Sequence, residues 1–261
     1  MLFILRNSVR LKYHFRKCIG IIDGTLFPFT FKPGLTGEDY FCRKSIYALH
    51  SLITCDDVGR IRDIVLGWPG SVHDNRVWRN SRLNDKRFFC LGQYLLGDSA
   101  FEASEIMVSS YKKPATSSLP QQQEFFNTIL AKIRIRSKHS IGMLKGRFQF
   151  MKGMRMRIRK ESDLMRTVEL IRACTVIHNW LIEEPDSVLK SSFTPQGRVT
   201  KYDPEATEDD EAFVAYLENN THAGALREEI KHLILDNCGF ICGKNRIEIS
   251  IKNNIVIQIL F

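Results

Sequence analysis

An α/β fold built on a mixed sheet is predicted for this 261-residue chain by three observations. Three apolar segments follow one another near the N-terminus, and turn-forming residues interrupt or end each of them. A helical pattern and one more short apolar segment come next, and long helical patterns follow. No uninterrupted run of about 18 apolar residues occurs, so no transmembrane helix is expected. The order of elements is therefore three strands, a helix, a strand and then helices.

The first three segments are predicted to form antiparallel strands. Residues 18–31 (CIGIIDGTLFPFTF) are apolar around an Asp-Gly pair, which is typical of a buried strand that runs into a turn. Residues 45–57 begin with alternation and then become apolar, and an Asp-Asp pair followed by Gly is a hairpin-turn signal. Residues 61–70 form the third predicted strand, which ends at a Gly and a Pro.

The later segments alternate between helix and strand patterns. Residues 71–83 fit a helix that a serine can cap, and residues 94–101 (YLLGDSAF) fit a short strand ending at Gly-Asp. The polar stretch 112–123 is typical of a surface loop. Residues 124–151 and 161–184 carry apolar side chains at helical spacing and predict two long helices. Three antiparallel strands, a helix, a parallel strand and further helices are the ribonuclease H-like arrangement.

The composition changes near residue 185 and suggests how the chain is divided. Residues 185–223 are polar, acidic and contain proline, so they predict a disordered linker. The last part, 224–261, is expected to hold one more helix, and its final 16 residues fit either a terminal strand or an artefact of gene-model translation. We therefore expect a folded domain at 18–184, preceded by a short remnant at 1–17.

The net charge of +9 conceals a strong asymmetry. Residues 1–180 hold 30 Lys and Arg against 15 Asp and Glu, whereas residues 181–240 hold 5 against 13. A basic body points to a polyanionic partner, most often nucleic acid, with a merely basic protein as the alternative. The sequence shows no zinc finger, homeodomain or helix-turn-helix signature that would read bases. The seven cysteines are scattered and predict free thiols rather than a zinc site.

Residues 132–160 concentrate this charge, with eleven Lys and Arg and no carboxylate. Such side chains bind phosphates without sequence preference. A solvated basic helix surface is the alternative interpretation. The residues predicted to contact nucleic acid are Arg43, Lys44, Arg134, Arg136, Lys145, Arg147, Lys152, Arg155, Arg157 and Arg159.

Three aspartates could form a metal-dependent centre if the predicted fold is correct. Asp23 lies inside an apolar strand, and a buried carboxylate is costly without a partner. Asp98 ends the strand expected beside it, and Asp74 begins the intervening helix. Clustered carboxylates repel unless a cation binds, and oxygen ligands select Mg²⁺ or Mn²⁺, which can activate water against a phosphodiester. Each also has a structural alternative, as a turn residue, a helix-start carboxylate or a cap.

Six blocks, CIGIIDGT, WPGSVHDNRVWRNSRL, LLGDSAF, YKKP, RIRSKHSIGMLKGRF and IRACTVIHNWL, occur in order over roughly residues 18–183. In this the chain resembles the Harbinger transposase-derived nucleases, a group of DDE superfamily endonucleases related to PIF/Harbinger transposases. The resemblance implies a ribonuclease H-like fold, a divalent-metal nuclease centre, DNA as substrate and a nuclear setting, with the cytoplasm left open. It also implies a Myb-like protein partner that supplies specificity. The family's first three metal-binding and catalytic carboxylates fall on Asp23, Asp74 and Asp98.

The fourth family carboxylate is replaced in this sequence. That glutamate lies four residues before the Gly of Gly-x-Leu-Lys-x-Arg-Phe, a position held here by Lys138. An ammonium about 4 Å from a cation costs about 4 kcal/mol per unit charge at an effective dielectric near 20. Weakened metal binding and lost cleavage are therefore expected. The alternative function is a catalytically inactive DNA-binding or partner-binding protein that keeps the nuclease fold.

Two further expectations follow from the resemblance. The family has a longer helical region before the first aspartate, so residues 1–17 are expected to be a truncated remnant. His73 and His139 flank the carboxylate positions, and packing or hydrogen bonding is a more probable role for them than ligation or proton transfer.

Overall fold

The computed structural model describes Phe15 and residues 17–183, 224–237, 248–249 and 257–258. The predicted linker at 185–223 and most of the predicted remnant at 1–17 lie outside the described residues.

A five-stranded mixed sheet forms the centre of the fold. Its strands are β1 (Cys18–Pro28), β2 (Ala48–Cys55), β3 (Ile61–Pro69), β4 (Tyr94–Gly97) and β5 (Met107–Ser109). Their spatial order is β3-β2-β1-β4-β5, with β1, β2 and β3 antiparallel and with β4 parallel to both β1 and β5. The predicted ribonuclease H-like class is confirmed. β5 is absent from the predicted elements, because three residues are too few to show a periodic pattern.

Within the residues that the structure describes, four α-helices accompany the sheet: α1 (Asp74–Arg79), α2 (Gln121–Arg147), α3 (Glu161–Glu183) and α4 (Ala225–Asn237). The predicted helix at 71–83 was too long, because α1 starts after His73 rather than at a capping Ser71. The predicted loop at 112–123 was wrong at its end, since α2 already begins at Gln121. Pro120 precedes that first turn, where its missing N–H costs no helical hydrogen bond.

The two faces of the sheet pack against different helices. Val77 and Trp78 of α1 pack with Leu52 and Leu95 on one face. The residues next to Leu52 and Leu95 in their strands point to the other face, because side chains alternate along a strand. Those side chains pack under α2 and α3. The buried stripe of α2 contains Phe125, Phe126, Ile129, Leu130, Ile133, Ser137, Ser140 and Leu144. Two small serines in this stripe let the helix approach the sheet closely beside Asp23.

The C-terminal helix α4 belongs to the same core. Leu226, Ile230 and Ile234 pack in one cluster with Phe126 of α2 and with residues of β1 and β4. The Tyr111 hydroxyl donates a hydrogen bond to Glu228. The helix predicted at 224–235 is therefore confirmed. In the stretch where the sequence left a strand open, β6 (Glu248–Ile249) and β7 (Ile257–Gln258) pair as a short antiparallel ribbon.

Candidate active site

The fold brings the three predicted aspartates to one region. Asp23 lies on β1 opposite Ile53 of β2. Asp98 directly follows β4, and because β4 runs parallel to β1 with Leu96 beside Ile21, Asp98 comes level with Asp23. Asp74 is the first residue of α1. Asp74 and Asp98 line an open cleft of about 730 Å³, and Asp23 lies beside it under α2.

Asp23 and Asp98 both face the guanidinium group of Arg134 on α2. One nitrogen, Nη2, lies 3.2 Å from Oδ1 of Asp23 and 3.6 Å from Oδ2 of Asp98. The Ser137 hydroxyl donates a 3.4 Å hydrogen bond to the other oxygen of Asp23. Burial raises the pKa of Asp23 above its ordinary value, Arg134 and Lys138 oppose that rise, and Asp98 and Asp74 add to it. The region therefore couples three carboxylates and two basic groups.

Asp74 faces a different partner, His50 of β2. The Nε2 atom of this buried histidine lies 2.7 Å from Oδ1 of Asp74, and its Nδ1 atom has no hydrogen-bond partner among the described residues. The Asp74 carboxylate also rests on Gly24, where an added Cβ would come within 2.5 Å of Oδ1. The Asp-Gly-Thr block thus needs glycine because a neighbouring carboxylate occupies the space of a side chain.

The convergence of Asp23 and Asp98 on one guanidinium shows that the space between them favours a cation. Their oxygen atoms are also the donors that Mg²⁺ and Mn²⁺ prefer. Asp74 is directed to His50, and within the described ranges no three His, Cys, Asp or Glu groups lie close enough to share a metal ion. Two of the three predicted ligands, Asp23 and Asp98, therefore fit a cation between them. The guanidinium of Arg134 occupies that position in this structure.

Lys138 lies where the sequence comparison with the family placed a carboxylate. It follows Arg134 by one helical turn, and its ammonium is near enough to Asp23 to lower the pKa of that group. Two glutamates that follow β4 in the chain do not replace the missing ligand. Glu102 pairs with Arg79, and Glu105 pairs with Lys86, on the protein surface.

Comparison with known proteins identifies the family of this chain. A family model described as DDE superfamily endonuclease matches residues 22–179, which include all three aspartates and Lys138. The chain belongs to the DDE superfamily endonuclease family. This confirms the resemblance to Harbinger transposase-derived nucleases. Divalent metals are generally used by endonucleases of this family.

Individual relatives are similar over part of their length. The chain is 28% identical to Protein ALP1-like from Arabidopsis thaliana over 145 residues, which is 50% of this chain and 34% of that protein. It is 26% identical to Putative nuclease HARBI1 from Rattus norvegicus and from Homo sapiens over 166 residues, which is 62% of this chain and 45% of each relative. The chain thus spans less than half the length of these relatives. No solved structure is significantly similar.

Four of the basic residues predicted to contact nucleic acid have partners within this family domain, namely Arg134, Arg136, Lys145 and Arg147. Arg134 pairs with the aspartates, as described above. The Lys145 ammonium donates hydrogen bonds to Thr25 Oγ1 at 2.8 Å and to the Leu26 carbonyl at 2.7 Å. Burial, with a smaller effect from Lys44, lowers the pKa of Lys145 to about 8. These contacts hold α2 on β1, and they direct the Lys145 ammonium to β1 rather than to an external phosphate.

Arg147 is another of these residues. Its guanidinium donates to the His178 carbonyl at 3.1 Å and lies 3.0 Å from Nδ1 of the same residue. The Lys and Arg of the Gly-x-Leu-Lys-x-Arg-Phe block therefore join the helices and the sheet. Arg136 is half-buried and donates to the Asp57 carbonyl at 2.9 Å.

The other predicted basic residues remain exposed. Arg43 and Lys44 line the cleft, and Lys112 and Lys113 line it as well. The exposed residues after α2 are Lys152, Arg155, Arg157 and Arg159.

Sequence reasoning missed four residues of the site, and the signals differed in strength. Lys112 and Lys113 stand in the YKKP block, which indicated the family but received no role. His50 is a single histidine in an apolar strand, a pattern that more often indicates a packed core residue. Gly24 stood in a recognised block, but only the position of Asp74 explains it.

Among the described residues, no helix is both long and apolar enough to cross a membrane.

Proposed function

We propose that this chain is a transposase-derived nuclease that acts on DNA, with Asp23, Asp74 and Asp98 as the carboxylates of a centre that uses Mg²⁺ or Mn²⁺. The observation that carries the proposal is the convergence of Asp23 and Asp98 on one cationic group beside Asp74. Membership of an endonuclease family supports it. The setting proposed for this activity is the nucleus.

Each residue has a distinct part in this proposal. A divalent cation, when bound, would polarise a phosphodiester and favour the ionisation of water. Asp23 and Asp98 would hold the cation, since their oxygens already face a positive group. His50 orients Asp74 from beneath the cleft.

DNA binding in this proposal depends on the basic side chains around the cleft. Arg43 and Lys44, with Lys112 and Lys113, line the same space as Asp74 and Asp98. Phosphate contacts of this kind supply affinity without reading sequence, and they weaken as salt rises. Recognition of a particular DNA site is therefore assigned to a separate protein, for which a Myb-like partner is proposed.

A second function, DNA binding without cleavage, is favoured by Lys138. An ammonium on the face of α2 that influences Asp23 opposes a metal ion at the same place. In this case the carboxylates persist because they are paired with Arg134 and His50, and the fold serves as a binding module for DNA or for a protein partner.

Calorimetric Mn²⁺ titration and a plasmid-nicking assay separate the two functions. A nuclease binds Mn²⁺ and nicks DNA, and Asp23→Asn abolishes both. The control Asp85→Asn alters an exposed aspartate that pairs with Arg87, and it should leave both intact. No Mn²⁺ binding and no nicking, together with salt-dependent DNA affinity, would reject the nuclease and support the binding module.

Lys138→Glu tests the reason for such a loss. If the lysine is the cause, this variant recovers Mn²⁺ binding and nicking. Recovery of neither would show that the fourth ligand position is assigned incorrectly.

A further inference from the structure

We propose that Arg134 is the resident counter-ion of the carboxylate site and that it competes with a divalent cation for the space between Asp23 and Asp98. The inference uses the proposed function in one respect, namely that these two aspartates are metal ligands. It assigns a role to a residue that the sequence placed among the nucleic-acid contacts.

The geometry makes the two cations mutually exclusive. A single atom, Nη2 of Arg134, lies 3.2 Å from one carboxylate and 3.6 Å from the other. A small divalent ion binds carboxylate oxygens at about 2.1 Å and keeps its own shell of oxygen ligands. That shell needs the volume that the guanidinium fills. Metal binding therefore requires the Arg134 side chain to leave.

The charge balance explains why an arginine lies there. The side chains of Asp23 and Arg134 are 13% and 14% exposed, so water screens neither group well. Asp98 lies on the other side of the same guanidinium nitrogen. Without a metal, the guanidinium is therefore the positive group between two close carboxylates. It also holds α2 on the middle of β1 and on the end of β4.

The guanidinium is held in a way that allows displacement. It makes one hydrogen bond to Asp23 and a longer ion pair to Asp98, rather than a two-pronged contact with either. Its Nε atom is buried and has no hydrogen-bond partner in the part of the chain that the structure describes. A group with an unsatisfied donor gives up less when it moves than a fully bonded one.

The residue at position 138 decides where this guanidinium goes. Arg134 and Lys138 are four residues apart on α2, so their side chains lie on the same helix face. A lysine repels the guanidinium and leaves it on the aspartates. A glutamate there would attract it along the helix and would add an oxygen donor as well. The lysine therefore weakens a metal site twice, by removing a ligand and by keeping Arg134 in place.

The test compares the full chain with Arg134→Gln and with Arg136→Gln as the matched control. Arg136 lies on the same helix and carries the same charge, but it donates to the Asp57 carbonyl. Calorimetric Mn²⁺ titration and thermal unfolding, each with and without Mn²⁺, are the readouts. Arg134→Gln is expected to unfold at a lower temperature without metal and to bind Mn²⁺ about tenfold more tightly than the unaltered chain. Arg136→Gln should leave Mn²⁺ affinity unchanged.

Unchanged or weaker Mn²⁺ binding by Arg134→Gln would overturn the inference. If that variant does not fold, Arg134→Lys replaces it, because a shorter side chain with a point charge cannot reach both carboxylates as the guanidinium does. A gain in Mn²⁺ affinity is again expected, and no gain would again overturn the inference.

The same series keeps this inference separate from the proposed function. Tighter Mn²⁺ binding by Arg134→Gln without nicking by any variant, Lys138→Glu included, would support the counter-ion role and reject the nuclease. Nicking by the unaltered chain with no effect of Arg134→Gln on Mn²⁺ affinity would reject only the counter-ion role.

Discussion

Gly24→Ala should destabilise the protein because the Asp74 carboxylate occupies the space of the new methyl group. The added Cβ would lie 2.5 Å from Oδ1 and 2.8 Å from both Cγ and Oδ2 of Asp74. Ordinary contact begins near 3.4 Å, so the carboxylate or the strand must move by about 1 Å. Forcing extra volume into a packed site costs about 1–3 kcal/mol. For a chain of this size that corresponds to a fall in melting temperature of about 3–10 °C.

A double-mutant cycle with Asp74→Ala identifies the cause. Thermal unfolding is measured for the unaltered chain, each single variant and the double variant. If the carboxylate is the obstacle, Gly24→Ala costs little once Asp74 has been shortened. Gly142→Ala is the control, because no atom lies within 4 Å of its added Cβ in α2, and a helical alanine should raise stability by about 1 kcal/mol. An equal cost of Gly24→Ala with and without Asp74 would refute the reasoning.

Three further predictions concern the rest of the domain. Burial, with Arg147 second, lowers the pKa of His178 from 6.5 to about 4, so the native state holds it neutral. The stability associated with neutral His178 is fully present above pH 6.5 and is lost as pH falls towards 4. The free energy of unfolding, measured in denaturant, should fall by about 3 kcal/mol over this range, and His178→Gln should remove that part of its pH dependence. Asn179→Ala should cost about 1–3 kcal/mol in the same assay, because the Asn179 side chain pairs with both the N–H and the carbonyl of Ile61. Lys113→Ala should reduce the slope of log binding constant against log salt concentration for DNA by about one unit. Arg172→Ala, on α3 and outside the cleft lining, should leave that slope unchanged. Equal slopes for the Lys113→Ala variant and the unaltered chain would show that Lys113 does not contact DNA.

The order of elements could be predicted because local patterns specify it. Alternation and turn residues locate β1, β2 and β3, and helical spacing locates α2 and α3, since each depends on neighbours within one segment. The exact ends were less predictable. α1 begins at Asp74 because His73 has an extended backbone after a turn, and that depends on how Val77 and Trp78 reach the sheet.

The candidate site was predictable where residues stand in recognisable blocks and not where they depend on a distant partner. Asp23, Asp74 and Asp98 were identified from their blocks, and Lys138 from its spacing to Gly142. Their metal-binding roles remain proposals.

Arg134 shows the limit of reasoning from charge alone. It stands in a run of basic residues and has the same charge as its exposed neighbours, yet its side chain is turned to Asp23. Position along the chain distinguishes these residues, because Arg134 lies beside the buried stripe of α2 whereas the exposed Lys152 follows the end of that helix. The partner of a charge is set by the register between α2 and the sheet, which no local pattern records.

The sequence by itself determined the fold class, the family and the identity of three carboxylates with one lysine substitution, because these depend on residue types at fixed spacings. Only the tertiary structure decided which cation meets those carboxylates, that His50 supports Asp74, and that Lys145 and Arg147 hold α2 in place. The physical reason is that an ion pair or a buried hydrogen bond depends on distances of a few ångströms between segments far apart in the chain.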